Sequence, residues 1–201
     1  MILLAVIAGL YGHKKLSFRY FWFFVLLLCI VQVKACERDF LLKNVPDALN
    51  VEKVIYTKQN TWLLFSPYND RGIHVYLLPE QIGEKISESG IHFLDNLPPN
   101  LNKWERRGRY ARWYETPIPP GYRWNQNQTT GQMDIRNYIS GNDRIDIKID
   151  EVIAKQANSI VNNPGSYYAY NKDGVIVVSQ NNEIILYFYN TIYGFPSYET
   201  P

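Results

Sequence analysis

The sequence predicts an α+β fold in which an antiparallel sheet packs with two helices behind an N-terminal membrane-targeting segment. Three features support this prediction: a long apolar leader, runs of β-branched and aromatic residues between turn-forming residues, and two segments with helical periodicity. The chain has 201 residues, of which 46% are hydrophobic and 20% are charged, and this is a globular rather than a disordered composition. Its two cysteines are too few for a disulfide-stabilised scaffold.

Residues 1–35 are predicted to be a signal peptide or a membrane anchor. Residues 20–33 have one polar side chain, Gln32, and a helix of this length spans about 21 Å, less than the roughly 30 Å hydrocarbon core of a membrane. Basic residues precede this apolar run, and a small residue, Ala35, follows it, which is the order found in secretory signals. Residues 1–12 form an earlier apolar run, which has two explanations. Either translation starts later in the chain, or the leader is an interrupted membrane anchor.

The end of the leader resembles the lipobox of bacterial lipoproteins, in which a cysteine is acylated and becomes the mature N-terminus. Val33, Ala35 and Cys36 fit this motif, whereas Lys34 stands where an uncharged residue is usual. The resemblance implies lipidation of Cys36. It also implies a location in the bacterial cell envelope, with the domain on the periplasmic or extracytoplasmic side. A membrane anchor without lipid is the alternative.

The basic excess of the chain lies in the leader. The whole chain has 21 basic and 19 acidic residues, and four of the basic residues but none of the acidic ones fall in residues 1–35. The remainder therefore has 17 basic and 19 acidic residues, a net charge of −2. Because nucleic-acid binding depends on a basic surface, the balance predicts no nucleic-acid partner.

Residues 36–50 are predicted to be a linker, and residues 51–201 a single extracytoplasmic α+β domain. The domain begins with a predicted meander of three strands, which are separated by turn-forming residues and cover residues 51–58, 61–66 and 73–78. Pro79 and the acidic residues after it predict the start of a helix over 80–89, which Gly90 interrupts and residues 91–96 continue.

The second half of the domain contains the clearest local signals. In residues 143–150 isoleucines alternate with charged residues, which predicts a central amphipathic strand with one buried face. Asp150 is the predicted N-cap of a helix over 151–162, and the Asn-Pro-Gly sequence after it ends that helix. Apolar runs then predict a second three-stranded meander at residues 166–170, 175–179 and 183–190.

The motifs of metal binding and catalysis are missing from the sequence. The predicted domain has two histidines, His74 and His92, and it has no paired metal-ligand motif, nucleophile elbow or glycine-rich phosphate loop. We therefore predict no metal site, no cofactor and no enzymatic activity. The alternative, an envelope hydrolase, requires one of these histidines beside a carboxylate in a pocket.

Residues 98–132 form a proline-rich predicted loop, with a short strand near 109–115, in which arginines and aromatic residues interleave. Arginine and aromatic side chains are enriched at binding hot spots, and arginine also pairs with carboxylate or phosphate groups. The loop is therefore the predicted partner surface, and its candidate residues are Trp104, Arg106, Arg107, Arg109, Tyr110, Arg112, Trp113, Tyr114, Arg123 and Trp124. A solvated basic strand with inward-packed aromatics is the structural alternative.

These features together predict a membrane-tethered extracytoplasmic binding protein with a protein partner. By analogy, immunity-type lipoproteins that neutralise a toxin combine a small tethered domain with such a surface. Two alternatives use other chemistry: binding of a cell-envelope glycan or anionic lipid through the same arginines, and hydrolysis of envelope material.

Overall fold

The computed structural model describes residues 18–60, 71–98, 110, 112–119, 130–140, 147–171 and 174–190. The chain divides into two compact units, residues 1–42 and residues 43–201. In the first unit, α1 (Phe18–Leu42) is a 25-residue helix. Apolar side chains are exposed along it, among them Trp22, Phe23, Leu26 and Ile30. A search of the described residues finds no helix with the length and apolarity needed to cross a membrane.

The second unit is an α+β domain built on a six-stranded antiparallel sheet, which confirms the predicted fold class. The strand order is β1-β2-β6-β5-β4-β3, and every neighbouring pair is antiparallel. The helices and strands of this unit, after a 3-10 turn at Asp47–Leu49, are β1 (Val54–Asn60), β2 (Arg71–Leu77), α2 (Glu80–Ser89), α3 (Ile91–Asp95), β3 (Trp113–Glu115), α4 (Ile135–Ser140), α5 (Glu151–Asn162), β4 (Tyr167–Tyr170), β5 (Gly174–Ser179) and β6 (Ile184–Asn190).

Helices cover the sheet on both faces, so the central strands β5 and β6 are buried along their whole length. The first face forms one core with the apolar sides of α4 and α5. This core includes Val177, Phe188, Ile139 and Ala157. Continuous apolar runs such as those of β5 and β6 are expected in strands that have no wet face.

The helices α2 and α3 lie on the second face. Gly90, between these helices, lies beside the Tyr167 hydroxyl, and Asp95 at the end of α3 accepts a 2.9 Å hydrogen bond from the Trp113 backbone N–H. Ile86 of α2 and Leu94 of α3 are buried. The sheet is therefore the middle of three layers.

The helix boundaries follow the predicted local signals. The Asp150 carboxylate accepts hydrogen bonds from the backbone N–H groups of Val152 and Ile153, at 2.9 and 3.3 Å, which confirms it as the N-cap of α5. Gly90 has φ +56° and separates α2 from α3, as predicted.

Some strand predictions differ from the structure. Arg71 and Gly72 precede the predicted strand over 73–78, but in the structure they belong to β2. In the predicted strand over 143–150, Ile147 and Ile149 are buried between exposed residues, but the described part, 147–150, forms no strand. The alternation of apolar and charged residues predicts which side chains are buried. A strand forms only where a neighbouring strand also hydrogen-bonds to that segment. The predicted strand at 61–66 and residues 143–146 lie outside the described residues.

The predicted linker, residues 36–50, divides between the two units. Its first part ends α1, and its second part begins the folded unit. Asn44, Val45 and Leu49 are buried, and the 3-10 turn contains Leu49. Residues 43–50 are therefore packed into the domain.

Candidate functional site

The described part of the predicted partner surface centres on the edge strand β3. Trp113 pairs with Ala169 of β4, and its indole is buried on the second face of the sheet. Its backbone N–H is directed away from β4, because it donates to the Asp95 carboxylate. Trp113 therefore anchors the strand, and a helix-borne carboxylate occupies part of the strand's outer edge.

Tyr110 also has a positioning role. Its hydroxyl donates a 2.6 Å hydrogen bond to the Asn44 carbonyl and accepts one from the Asn171 side-chain amide at 3.3 Å. The Tyr110 ring lies 5.7 Å from that of Trp113. Two other segments of the chain, at Asn44 and Asn171, thereby hold Tyr110 in place just before β3.

Arg112 directly precedes β3, and the Tyr114 side chain packs against the core on the first face of the sheet. Arg112 is exposed, and its guanidinium carbon lies 5.6 Å from the centre of the half-buried Tyr114 ring, within the range of a cation–π contact. On its other side Tyr114 packs against Tyr168, which contacts Tyr170, with ring-centre distances of 5.5 and 5.7 Å. Burial, together with the neighbouring tyrosines, raises the pKa of Tyr168 to about 12.

The other predicted site residues are not placed by the structure. The side chain of Cys36 lies outside the described part, although its backbone falls within α1. Six residues of the predicted partner surface lie outside the described ranges: Trp104, Arg106, Arg107, Arg109, Arg123 and Trp124. Whether they adjoin Arg112 and Tyr114 stays a prediction.

The two histidines occupy different environments. His74 is buried on the second face, where its Nδ1 lies 2.7 Å from the Thr57 hydroxyl and its ring packs beside Tyr187 and Tyr189. Burial, and secondarily the charge of Lys43, lowers the pKa of His74 to about 4. His92 is exposed on α3 and pairs with Asn96.

A cavity of about 320 Å³, lined mostly by residues with polar side chains, lies elsewhere, between α5 and the segment before α4. Neither histidine lines it. Its lining is Thr130, Gln132, Met133, Asp134, Lys155, Asn158, Ser159, Asn162 and Asn163. Across the described ranges, no group of three or more His, Cys, Asp or Glu side chains is arranged to hold a metal ion.

This cavity was not predicted from the sequence. Positions 155, 158, 159 and 162 form one polar stripe of α5, which helical periodicity identifies, and Asn163 follows the last residue of the helix. The segment that closes the cavity lies far away along the chain, since Asn162 contacts Met133 across 29 residues. No local pattern indicates that contact.

Comparisons with known proteins do not indicate a function for this chain. No family model matches the chain, and neither a curated protein nor a solved structure matches it. The function is therefore argued from the chain's own residues.

Proposed function

We propose that the protein is a membrane-tethered extracytoplasmic binding protein that holds a protein partner on the surface around β3. The observation that supports this most directly is the Arg112–Tyr114 pair, a cation–π contact between an exposed arginine and a half-buried ring. Arginine and tyrosine are enriched at binding hot spots, where rigid side chains lose little entropy on association.

The framework behind this pair supports the same proposal. Trp113 is buried, Tyr110 is hydrogen-bonded to two segments, and Tyr114 packs on Tyr168. Side chains that are already held in place by the residues beneath them lose little conformational entropy when a partner binds. More specifically, we propose that the protein is an inhibitor or an immunity-type protein. Its partner is then an enzyme that loses activity when it is bound.

The tether belongs to the same proposal. The apolar leader and the lipobox-like Val33–Cys36 segment support a location in the bacterial envelope, with attachment through residues 1–35 or a lipid on Cys36. The intact mass of the full-length product from a bacterial membrane fraction tests this. A chain that starts at acylated Cys36 supports the lipoprotein form, whereas an unprocessed chain supports a retained anchor. An unmodified chain in the soluble fraction contradicts both.

The proposal extends to the arrangement of the strands within the domain. We infer that the sheet derives from two three-stranded meanders, at residues 51–78 and 166–190, with an amphipathic segment at 143–150 between them. The antiparallel pairing of β4, β5 and β6 in series supports the second of these meanders.

The proposed partner class is tested with the full chain purified in detergent from its native cells. We expect a discrete complex with one protein at fixed stoichiometry, and we expect the triple variant Arg106→Ala, Arg107→Ala, Arg109→Ala to lose it. The matched control is Lys53→Ala, Lys58→Ala, Lys148→Ala, which removes the same charge from exposed positions elsewhere. Equal loss in both variants would point to bulk charge and contradict the assignment.

The same variants decide between a protein and the alternative partners. If the arginine variant keeps its protein complex but loses binding to phosphatidylglycerol vesicles or to purified envelope polysaccharide, the surface binds a lipid or a glycan. That result would overturn the proposed protein partner and leave the tether unaffected.

A further inference from the structure

The cavity beside α5 has walls that the protein's own hydrogen bonds fix in place. The Asn162 side chain accepts a 2.9 Å hydrogen bond from the Met133 N–H and donates 2.8 Å bonds to the carbonyls of Met133 and Asn158. One turn earlier, Asn158 accepts a 2.9 Å bond from the Ile135 N–H. Asn162 and Asn158 therefore bind Met133 and Ile135, two alternate residues of the segment that forms the opposite wall.

Asp134 is fixed by the same network. Its Oδ1 accepts bonds from the Asn158 side chain at 3.1 Å and from the Arg136 N–H at 2.9 Å. A carboxylate has further lone pairs, so two bonds to Oδ1 leave Asp134 with capacity to accept from a ligand. Because the amide and carboxylate planes are already held, a ligand would not have to order them.

The remaining lining groups supply both donors and acceptors. Thr130 and Ser159 contribute hydroxyls, Gln132 and Asn163 contribute amides, and Lys155 contributes an ammonium group. Met133 is the one apolar side chain of the lining, and it is buried. The other lining side chains can all form hydrogen bonds, so the lining favours a ligand that carries several hydrogen-bonding groups.

The charges of the cavity balance. The lining has one cation, Lys155, and one anion, Asp134. Beside them Arg136 and Glu151 form an ion pair at 2.5 Å. A site for phosphate groups or other polyanions needs excess positive charge, which this region lacks.

From this geometry we propose that the cavity is a binding site for a neutral, hydroxyl-rich ligand, namely a saccharide. A hydroxyl group both donates and accepts, and planar amide and carboxylate groups complement pairs of adjacent hydroxyls. A volume of about 320 Å³ lies at the lower end of ligand-site volumes and suits one or two sugar rings. This site is separate from the β3 surface and does not depend on the proposed protein partner.

The test is a chemical-shift titration of the full chain, isotope-labelled and held in dodecylphosphocholine, because maltoside detergents contain the sugar under test. The probes are maltose, cellobiose and N,N′-diacetylchitobiose, with a galacturonic acid dimer as the anionic comparison. We expect saturable shifts for at least one neutral probe at the backbone amides of Gln132, Ser159 and Asn163.

A matched pair of variants localises the binding. Gln132→Ala with Asn163→Ala removes two lining amides and is expected to weaken binding about fivefold or more. Gln81→Ala with Asn181→Ala removes exposed amides on other elements and is expected to leave the affinity unchanged. The proposal is overturned if no neutral probe gives saturable shifts at millimolar concentration, if both double variants bind equally, or if the anionic dimer binds more tightly.

Discussion

Arg71 and Asn190 face each other across the β2–β6 pair, and together they bind three successive carbonyls at the end of α4. The Arg71 guanidinium donates to the Ser140 carbonyl at 2.5 Å, and the Asn190 amide donates to those of Tyr138 and Ile139 at 3.3 and 3.1 Å. The last carbonyls of a helix have no partner within the helix and favour a nearby cation. The two side chains thus join the short helix to the centre of the sheet.

The first prediction follows from this arrangement. Asn190→Ala removes the donor to two carbonyls in a buried setting and is expected to lower the free energy of unfolding by about 2 kcal/mol. Urea denaturation measures the change. The exposed Asn181→Ala is the control and should differ from the wild type by less than about 0.5 kcal/mol. Equal stability of both variants would contradict the role given to Asn190.

The second prediction concerns the N-cap of α5. Asp150→Ala removes the carboxylate that accepts from the N–H groups of Val152 and Ile153 and is expected to cost about 1 kcal/mol of unfolding free energy. Asp150→Asn retains a capping oxygen and should restore most of that loss. A similar loss in both variants, measured by thermal or urea unfolding, would show that capping is not the cause.

The third prediction compares two glycines. A Cβ atom at Gly174 would lie 2.4 Å from the Phe188 carbonyl oxygen, so Gly174→Ala is expected to destabilise the domain by about 3 kcal/mol. At Gly83, inside α2, the nearest atom to a Cβ would be 3.7 Å away, so Gly83→Ala is expected to stabilise by roughly 1 kcal/mol. Thermal unfolding of the two variants should therefore give shifts of opposite sign.

The fourth prediction is a loss of stability in acid through His74. Burial lowers the pKa of His74 from 6.5 to about 4, so between these pH values the unfolded chain takes up a proton that the folded chain does not. The contribution is fully present above pH 6.5 and declines as the pH falls towards 4. The loss of stability amounts to about 3 kcal/mol once the pH has fallen to 4. The charged and titratable groups near this ring are Lys43, Tyr76, Tyr187 and Tyr189.

Urea unfolding between pH 7 and pH 4 tests this pH dependence. The variant His74→Gln cannot take up a proton at this position, so its stability should fall less steeply over this interval than that of the wild type. Parallel stability curves for the two proteins would show that His74 is not the group responsible.

Local signals in the sequence predict α2, α3 and α5, whereas the short helix α4 was not predicted. Asp150, the apolar stripe after it and the Asn-Pro-Gly stop define α5, and Gly90 separates α2 from α3. The continuous apolar runs of β5 and β6 likewise predict buried strands. In each case the residues that determine the element lie within or beside it.

Long-range pairing is not predictable in this way. β6 lies between β2 and β5, and nothing within β6 specifies β2 as its neighbour. Arg71 lies before the predicted strand over 73–78, but it belongs to β2 and is buried, because its acceptor, Ser140, is brought to it across 69 residues. Within the predicted partner surface, the aromatic pattern of residues 110–114 does not show that Trp113 faces inward whereas Arg112 is exposed.

The most direct test of the central claim is site-specific photo-crosslinking of the full chain in its native cells. A benzoylphenylalanine at position 112 should give one discrete protein adduct, and the same group at the exposed position 148 should give none. The adduct should disappear when Arg106, Arg107 and Arg109 are replaced by alanine. Absence of an adduct from position 112, or the same adduct from position 148, would contradict the assignment of a protein partner to the β3 surface.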